Sequence, residues 1–282
     1  MAQRAVHDLK GDPVDVAFFE QLMDRHLPRV FMRVMRRLPA EPRCRLCHAP
    51  YGGIGGQVMR RFGFGPSRKN PTLCNTCFEK APMGGVDMEV GVLFADLRGF
   101  TSLAERTPTH EVAQLLNRFY AAASAVLTRS ALIDKLVGDE VMALYLPQLL
   151  GEHWEDELVR DANDLLVAVG YGTPPGPWLA LGVGLDVGRA YVGNVGAGEV
   201  KDFTAVGDVV NTAARLQSAA GSGQIVLSER LFERLAARPD NATAITLDLK
   251  GKQEAEPARV IDRGAATIAS EGAQSATDLG AR

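Results

Sequence analysis

Two groups of residues in this chain carry spacings from which chemistry can be built. Cys44-Arg45-Leu46-Cys47 and Cys74-Asn75-Thr76-Cys77 form two C-x-x-C knuckles with 26 residues between them. Four thiolates so spaced can close a tetrahedral metal site. Structural zinc is the first expectation and a thiolate-bound iron–sulfur cluster the second. His48, beside a complete cysteine set, reads as a bystander. The second group is acidic. Asp96 closes one apolar run, and Asp139 sits in a Gly-Asp turn between two others. If those runs are neighbouring strands, both carboxylates reach one sheet edge, where hard oxygen ligands suit Mg²⁺ or Mn²⁺. Taken alone, such a pair reads as solvated turn aspartates. Asn211 and Arg215 are four apart and share one face of a helix; taken alone, Arg215 reads as a solvated cation.

The elements that must position these residues follow from periodicity. Val90–Ala95 is an apolar strand pattern. Thr109 is a plausible N-cap, followed by an apolar stripe at Val112, Leu115, Leu116, Phe119, Tyr120, Ala123, Val126 and Leu127. Ile133–Val137 and Val141–Leu146 flank Gly138-Asp139 as a tight hairpin. Leu158, Ala162, Leu165, Leu166 and Val169 mark a second amphipathic helix. Leu179–Asp186 is read as a strand turned by Gly188 into a partner, Ala190–Val195. A third helix covers roughly Val209–Ala219, with strands near Ile225–Leu227, Ala244–Leu249 and Arg259–Asp262. The order predicts an α+β fold, an antiparallel-rich sheet with packed helices.

Composition divides the chain into residues 1–83, with all the cysteines, residues 84–263, with the strand and helix patterns, and residues 264–282, an Ala/Ser/Gly-rich tail expected to be disordered. Ahead of the knuckles, Phe18–Leu38 has a helical pattern carrying Arg25, Arg29, Arg33, Arg36 and Arg37. It suits a surface or partner contact, or packing on its own neighbours with the arginines solvated. The 282 residues are 46% hydrophobic and 23% charged with a net charge of -3, so no global basic field points to nucleic acid. No apolar run approaches the ~18 residues of a transmembrane helix, and Met1–Asp8 lacks the apolar core of a signal peptide. A cytoplasmic protein is the expectation.

Phe94-Ala95-Asp96-Leu97-Arg98-Gly99-Phe100-Thr101 and Lys135-Leu136-Val137-Gly138-Asp139-Glu140 resemble two signatures of the class III adenylyl and guanylyl cyclases. Gly193-Asn194-Val195-Gly196 and the run Phe203 to Leu216 resemble a third. The likeness covers roughly Val86 to Asp262 and implies the ferredoxin-like cyclase fold, preceded here by a small four-cysteine module. It further implies two divalent ions, Mg²⁺ or Mn²⁺, on Asp96, Asp139 and the carbonyl of Leu97. Gly99, Phe100 and Thr101 would lie at the phosphates, Asn211 on the ribose and Arg215 on the α-phosphate. Leu249-Lys250-Gly251-Lys252 resembles a late turn of the family in which a lysine, here Lys252, contacts phosphate.

By the same resemblance, Lys135 and Thr204 read the base. A lysine only donates and so suits adenine N1, while a threonine hydroxyl can accept from the 6-amino group. ATP is the expected substrate, cyclic AMP the product, and the threonine is similar to the class IIIb subgroup. In the family, one protomer supplies the metal aspartates and the other the base-reading residues, asparagine and arginine, which implies a homodimer with two equivalent sites. The readings set against this are a catalytically silent nucleotide-binding regulator, a guanylyl cyclase, and a zinc-ribbon nucleic-acid binder using Arg60, Arg61, Arg68 and Lys69.

Overall fold

A computed structural model describes residues 34, 43–44, 47–77, 84–197, 200–248 and 255–263. Apart from Val34, the Phe18–Leu38 pattern lies outside the described residues, as do Lys252 and the 264–282 tail.

After a short helix between the knuckles, α1 (Gly53–Arg61), the chain enters β1 (Gly84–Leu97), α2 (Phe100–Arg106) and α3 (Thr109–Leu127). The hairpin β2 (Leu132–Val137) and β3 (Glu140–Tyr145) leads to α4 (Pro147–Leu150) and α5 (Trp154–Ala168). Then come β4 (Leu181–Ala197), β5 (Val200–Val206), α6 (Asp208–Ala219), β6 (Gln224–Ser228), α7 (Glu229–Arg234), β7 (Ala242–Leu247) and β8 (Glu256–Asp262). Among the described residues eight strands form one sheet in the order β2-β3-β1-β4-β6-β8-β7, with β5 paired to the far end of β4. The β4–β6 pair is parallel and the other pairs are antiparallel. This is the expected α+β architecture.

Strand alternation splits the core in two. On one face Leu93, Ala95 and Leu97 of β1 and Val183, Leu185 and Val187 of β4 pack under α3 and α5, through Phe119, Ala123, Leu127, Leu158, Ala162 and Leu165. Truncating one such fully buried leucine, for example Leu158→Ala, costs roughly 2–5 kcal/mol. On the other face Met88, Val90, Val92 and Phe94 share a cluster with Val209 and Ala213 of α6, Phe203 and Ala205 of β5, and the cysteine segment through Cys44, Cys47, Tyr51, Met59, Leu73, Cys74 and Cys77. The cysteine segment is therefore packed against the sheet's second face. α6 lies so close to the sheet that a Cβ on Gly184 would stand 2.1 Å from the Gln217 nitrogen, which only glycine avoids.

Two sequence expectations need correction. Gly188 is not a turn: β4 runs unbroken from Leu181 to Ala197, and Gly188 pairs with Val90 of β1. The apparent break arises because the helical layer ends near Val187. Beyond it the same face of β4 carries Arg189, Tyr191 and Val195, exposed, while Ala190 and Val192 stay buried on the other face. The true partner in that hairpin is β5. The first amphipathic helix is capped by Pro108, with Thr109 as its first residue and no side-chain cap bond.

Candidate active site

The acidic pair meets because of how β1 and the β2–β3 hairpin are registered. Asp96 pairs with Glu140, and the Leu97 N–H donates to the Asp139 carbonyl at 3.3 Å. The hairpin tip, and Asp139 with it, is thereby tied to the C-terminal end of β1. Gly138 has φ +61°, the left-handed conformation that a glycine adopts without penalty. The Tyr120 hydroxyl of α3 donates to the Gly138 carbonyl and holds the tip from the side. Asp96 continues the Met88–Phe94 alternation, which aims it to the α6 face of the sheet.

The two carboxylates are close enough to perturb one another. Burial, and then the charge of Asp139, raise the Asp96 pKa above the ordinary aspartate value; the Arg98 guanidinium and the Gln217 amide act in the opposite direction. Arg98 lies 3.5 Å from the Asp96 carboxylate and also donates to the Gln217 carbonyl of α6. Glu140 is raised as well, by burial and then by the charges of Asp96 and Asp139, with Lys135 opposing. Three half-buried carboxyls with a shared excess of negative charge and hard oxygen donors fit a divalent cation. Sequence reasoning missed Arg98, Gln217, Glu140 and Tyr120. Arg98 and Glu140 are adjacent to named residues and recoverable by their charge, whereas Gln217 and Tyr120 are brought in by packing alone.

Gly99 follows at φ +72°, and its carbonyl accepts from the Leu103 N–H at 3.1 Å to start α2. Phe100 packs partly into the core beneath α3, and Thr101 is exposed. Asn211 and Arg215 lie one turn apart on the outer face of α6, whose inner face is Val209, Thr212, Ala213, Leu216 and Gln217. Neither side chain has a hydrogen bond or ion pair among the described residues. Lys135 is exposed on β2, and Thr204 is buried on β5 at 8% exposure. They are brought together by Asp134, which accepts from the Thr204 hydroxyl at 2.8 Å and lies 4.0 Å from the Lys135 ammonium.

The four cysteines converge in a second, separate place. All four are buried, and their sulfurs lie within 4.8 Å of one another. Individual Sγ–Sγ separations are 3.9 Å for Cys44–Cys77, 3.5 Å for Cys47–Cys74 and 3.3 Å for Cys74–Cys77. Zn–S bonds of ~2.3 Å in a tetrahedron place sulfurs roughly 3.8 Å apart, so one tetrahedral ion fits with small adjustments. Hydrogen bonds from Cys47, Cys74 and Cys77 lower the Cys44 pKa, and donating to Cys44, together with burial, raises Cys47 and Cys77. Thiols bind a metal ion only when deprotonated, so a cation at this cluster would take the place of the shared protons. Lys69, between the knuckles, is ion-paired to Asp134 at 3.1 Å and Asp202 at 2.9 Å, with its side chain largely buried. No helix among the described residues is long and apolar enough to cross a membrane.

Comparison with known proteins agrees with this arrangement. The family model for the adenylate and guanylate cyclase catalytic domain matches residues 86–258. An uncharacterised protein of Mycobacterium tuberculosis is 29% identical over 253 residues, 89% of this chain and 38% of its own length. An adenylate cyclase of Anabaena cylindrica is 28% identical over 204 residues, 62% of this chain and 38% of its own. The chain thus spans well under half the length of these relatives. Among solved structures, the guanylyl cyclase Cya2 aligns with a TM-score of 0.58 at 27% identity, over 65% of this chain and 96% of that one. The adenylyl cyclase CyaB from P. aeruginosa aligns at 0.53 and 25%, over 66% and 100%. The chain belongs to the class III adenylyl and guanylyl cyclase family and contains its catalytic domain.

Proposed function

We propose that the chain is an adenylyl cyclase that forms 3′,5′-cyclic AMP and pyrophosphate from ATP in a site shared by two protomers. The observation that carries this reading is the convergence of Asp96 and Asp139, from non-consecutive strands, at one hairpin tip. Asp96, Asp139 and the Leu97 carbonyl would hold Mg²⁺ or Mn²⁺, which would make the ribose 3′-hydroxyl more acidic and neutralise the polyphosphate. Gly99, Phe100 and Thr101 follow within five residues of Asp96, where the polyphosphate would lie. The 3′-hydroxyl gives its proton up to water, and its oxygen bonds to the α-phosphorus as the bond from that phosphorus to the pyrophosphate oxygen breaks. Arg215 faces the charge that grows on the α-phosphate, a contribution of about 3–4 kcal/mol for a preorganised donor. Asn211 orients the ribose beside it.

Asn211 and Arg215 project outward from α6, the geometry of residues that complete a partner's site, which supports a two-fold homodimer. Lys135 would donate to adenine N1 and Thr204 accept from the 6-amino group. Lys252 remains a proposed phosphate contact. The cysteine cluster is proposed to hold one structural zinc, because separations of 3.3–3.9 Å suit a single ion better than a multi-iron cluster, whose ligands spread wider. A guanylyl cyclase is the second reading, favoured by the likeness to Cya2. Product formation with ATP against GTP separates the two: cyclic AMP in clear excess supports the first, cyclic GMP in excess the second.

A further inference from the structure

The segment between the knuckles does more than span them. The β2–β3 ladder slips register between Ile133 and Lys135, leaving Asp134 as the extra residue of a β-bulge. Bulges re-aim side chains, and here the Asp134 carboxylate turns inward, with no exposure. Lys69 covers this bulge on the sheet's edge strand. Its ammonium donates to the Asp134 carbonyl at 2.8 Å and to the carboxylate at 3.1 Å, while its own carbonyl accepts from the Ile133 N–H at 2.8 Å. The Asn70 amide fastens the same segment, donating to the Thr128 carbonyl at 3.0 Å and the Ala131 carbonyl at 2.5 Å. A buried carboxylate needs such partners, because an isolated one would cost several kcal/mol.

The other carboxylate oxygen of Asp134 accepts from Thr204, at 2.8 Å from Oγ1 to Oδ2, with the Lys135 ammonium 4.0 Å away. An ionised carboxylate only accepts, so the Thr204 hydroxyl must spend its single proton on Asp134. Thr204 then has only lone pairs to offer a ligand. It can accept from an amino group and can give nothing to a carbonyl. The 6-amino group of adenine satisfies it, and the O6 of guanine does not.

We propose that Asp134 is a positioning residue that sets the purine-reading polarity of Thr204, and that Lys69 makes the cysteine module part of the base-selecting apparatus. This inference rests on the ATP reading above. An asparagine at 134 can present its NH₂ to Thr204, which frees the hydroxyl proton to point at the ligand and meet a guanine O6. Loss of Lys69 takes a cation from the bulge and leaves the carboxylate free to reorient.

The test measures kcat and KM for ATP and GTP, with equilibrium binding of fluorescent ATP and GTP analogues, for wild type, Asp134→Asn, Lys69→Met and Lys69→Arg. Asp134→Asn should lower the ATP-to-GTP ratio of kcat/KM by about tenfold or more, through KM and analogue affinity rather than kcat. Lys69→Met should move the ratio the same way by roughly threefold to tenfold, and Lys69→Arg should recover most of it. If Asp134→Asn does not fold, Lys69→Met decides. A wild type that prefers ATP, with ratios unchanged in folded variants, overturns this inference and leaves the ATP reading standing. A wild type that prefers GTP overturns both.

Discussion

The oxygen site at the hairpin tip and the sulfur site of the knuckles are opposites in construction. Asp96, Asp139 and Glu140 are half-buried and repel one another, with Asn211 and Arg215 on the outer face of α6. Cys44, Cys47, Cys74 and Cys77 are buried, hydrogen-bonded among themselves and gathered with their sulfurs within 4.8 Å of one another. Closed four-thiolate sites fold proteins, whereas sites with open positions do chemistry. The contrast teaches that one chain can hold its carboxylates apart under mutual repulsion while it buries its thiols in a closed cluster. The Lys69–Asp134–Thr204 chain links the segment between the knuckles to Thr204, at the other end of β4 from Asp96.

The contrast breaks if substitutions at the two sites have interchangeable effects. Asp96→Ala or Asp139→Ala should lower turnover by about a thousandfold or more, on the order of 4 kcal/mol in the barrier, with an unchanged circular dichroism spectrum. Retained activity with Mn²⁺ would remove the metal assignment. Cys44→Ser or Cys74→Ser should do the reverse at first order. Removing a structural ion worth roughly 3 kcal/mol or more lowers the melting temperature by about 6–12 °C, and elemental analysis should fall from about one zinc per chain. Iron with visible absorption would replace zinc in this description.

Mixing Asp96→Ala with Arg215→Ala sharpens the open-site half of the contrast. Random exchange leaves one intact site in half of the dimers, so about a quarter of wild-type activity should return. No recovery with subunit exchange proven would contradict a shared site. The smallest effect concerns charge. Asp96 titrates above the ordinary aspartate value in the folded chain, through burial and the Asp139 charge. A raised carboxyl contributes stability below its unfolded pKa that is lost as pH rises through the folded one. Asp96→Asn should therefore raise the melting temperature of the cation-free protein at neutral pH by about 1–3 °C, with no gain near pH 3. Equal melting curves at neutral pH would show that the pair is not strained.

Much of the candidate site is legible because its residues announce themselves by type. Asp96 and Asp139 stand at the ends of apolar runs, Asn211 and Arg215 at helical spacing, and the cysteines in paired knuckles. The strand end and hairpin turn predicted for the aspartates match β1 and the β2–β3 tip. What could not be read depends on partners distant in sequence. Gly188 looked like a turn because periodicity cannot tell where the helical layer above a strand stops. Asp134 drew no notice in the sequence, since a bulge leaves no compositional trace and Lys69 and Thr204 are 65 and 70 residues away. Gln217 and Tyr120 enter through the way α6 and α3 pack, which no local pattern encodes.

The decisive measurement is product formation by the purified chain with ATP or GTP, each with Mg²⁺ or Mn²⁺, beside Asp96→Ala. Cyclic AMP from ATP in the wild type, and none in the variant, is the expected result. Product that persists in Asp96→Ala, or cyclic GMP in excess over cyclic AMP, would contradict it.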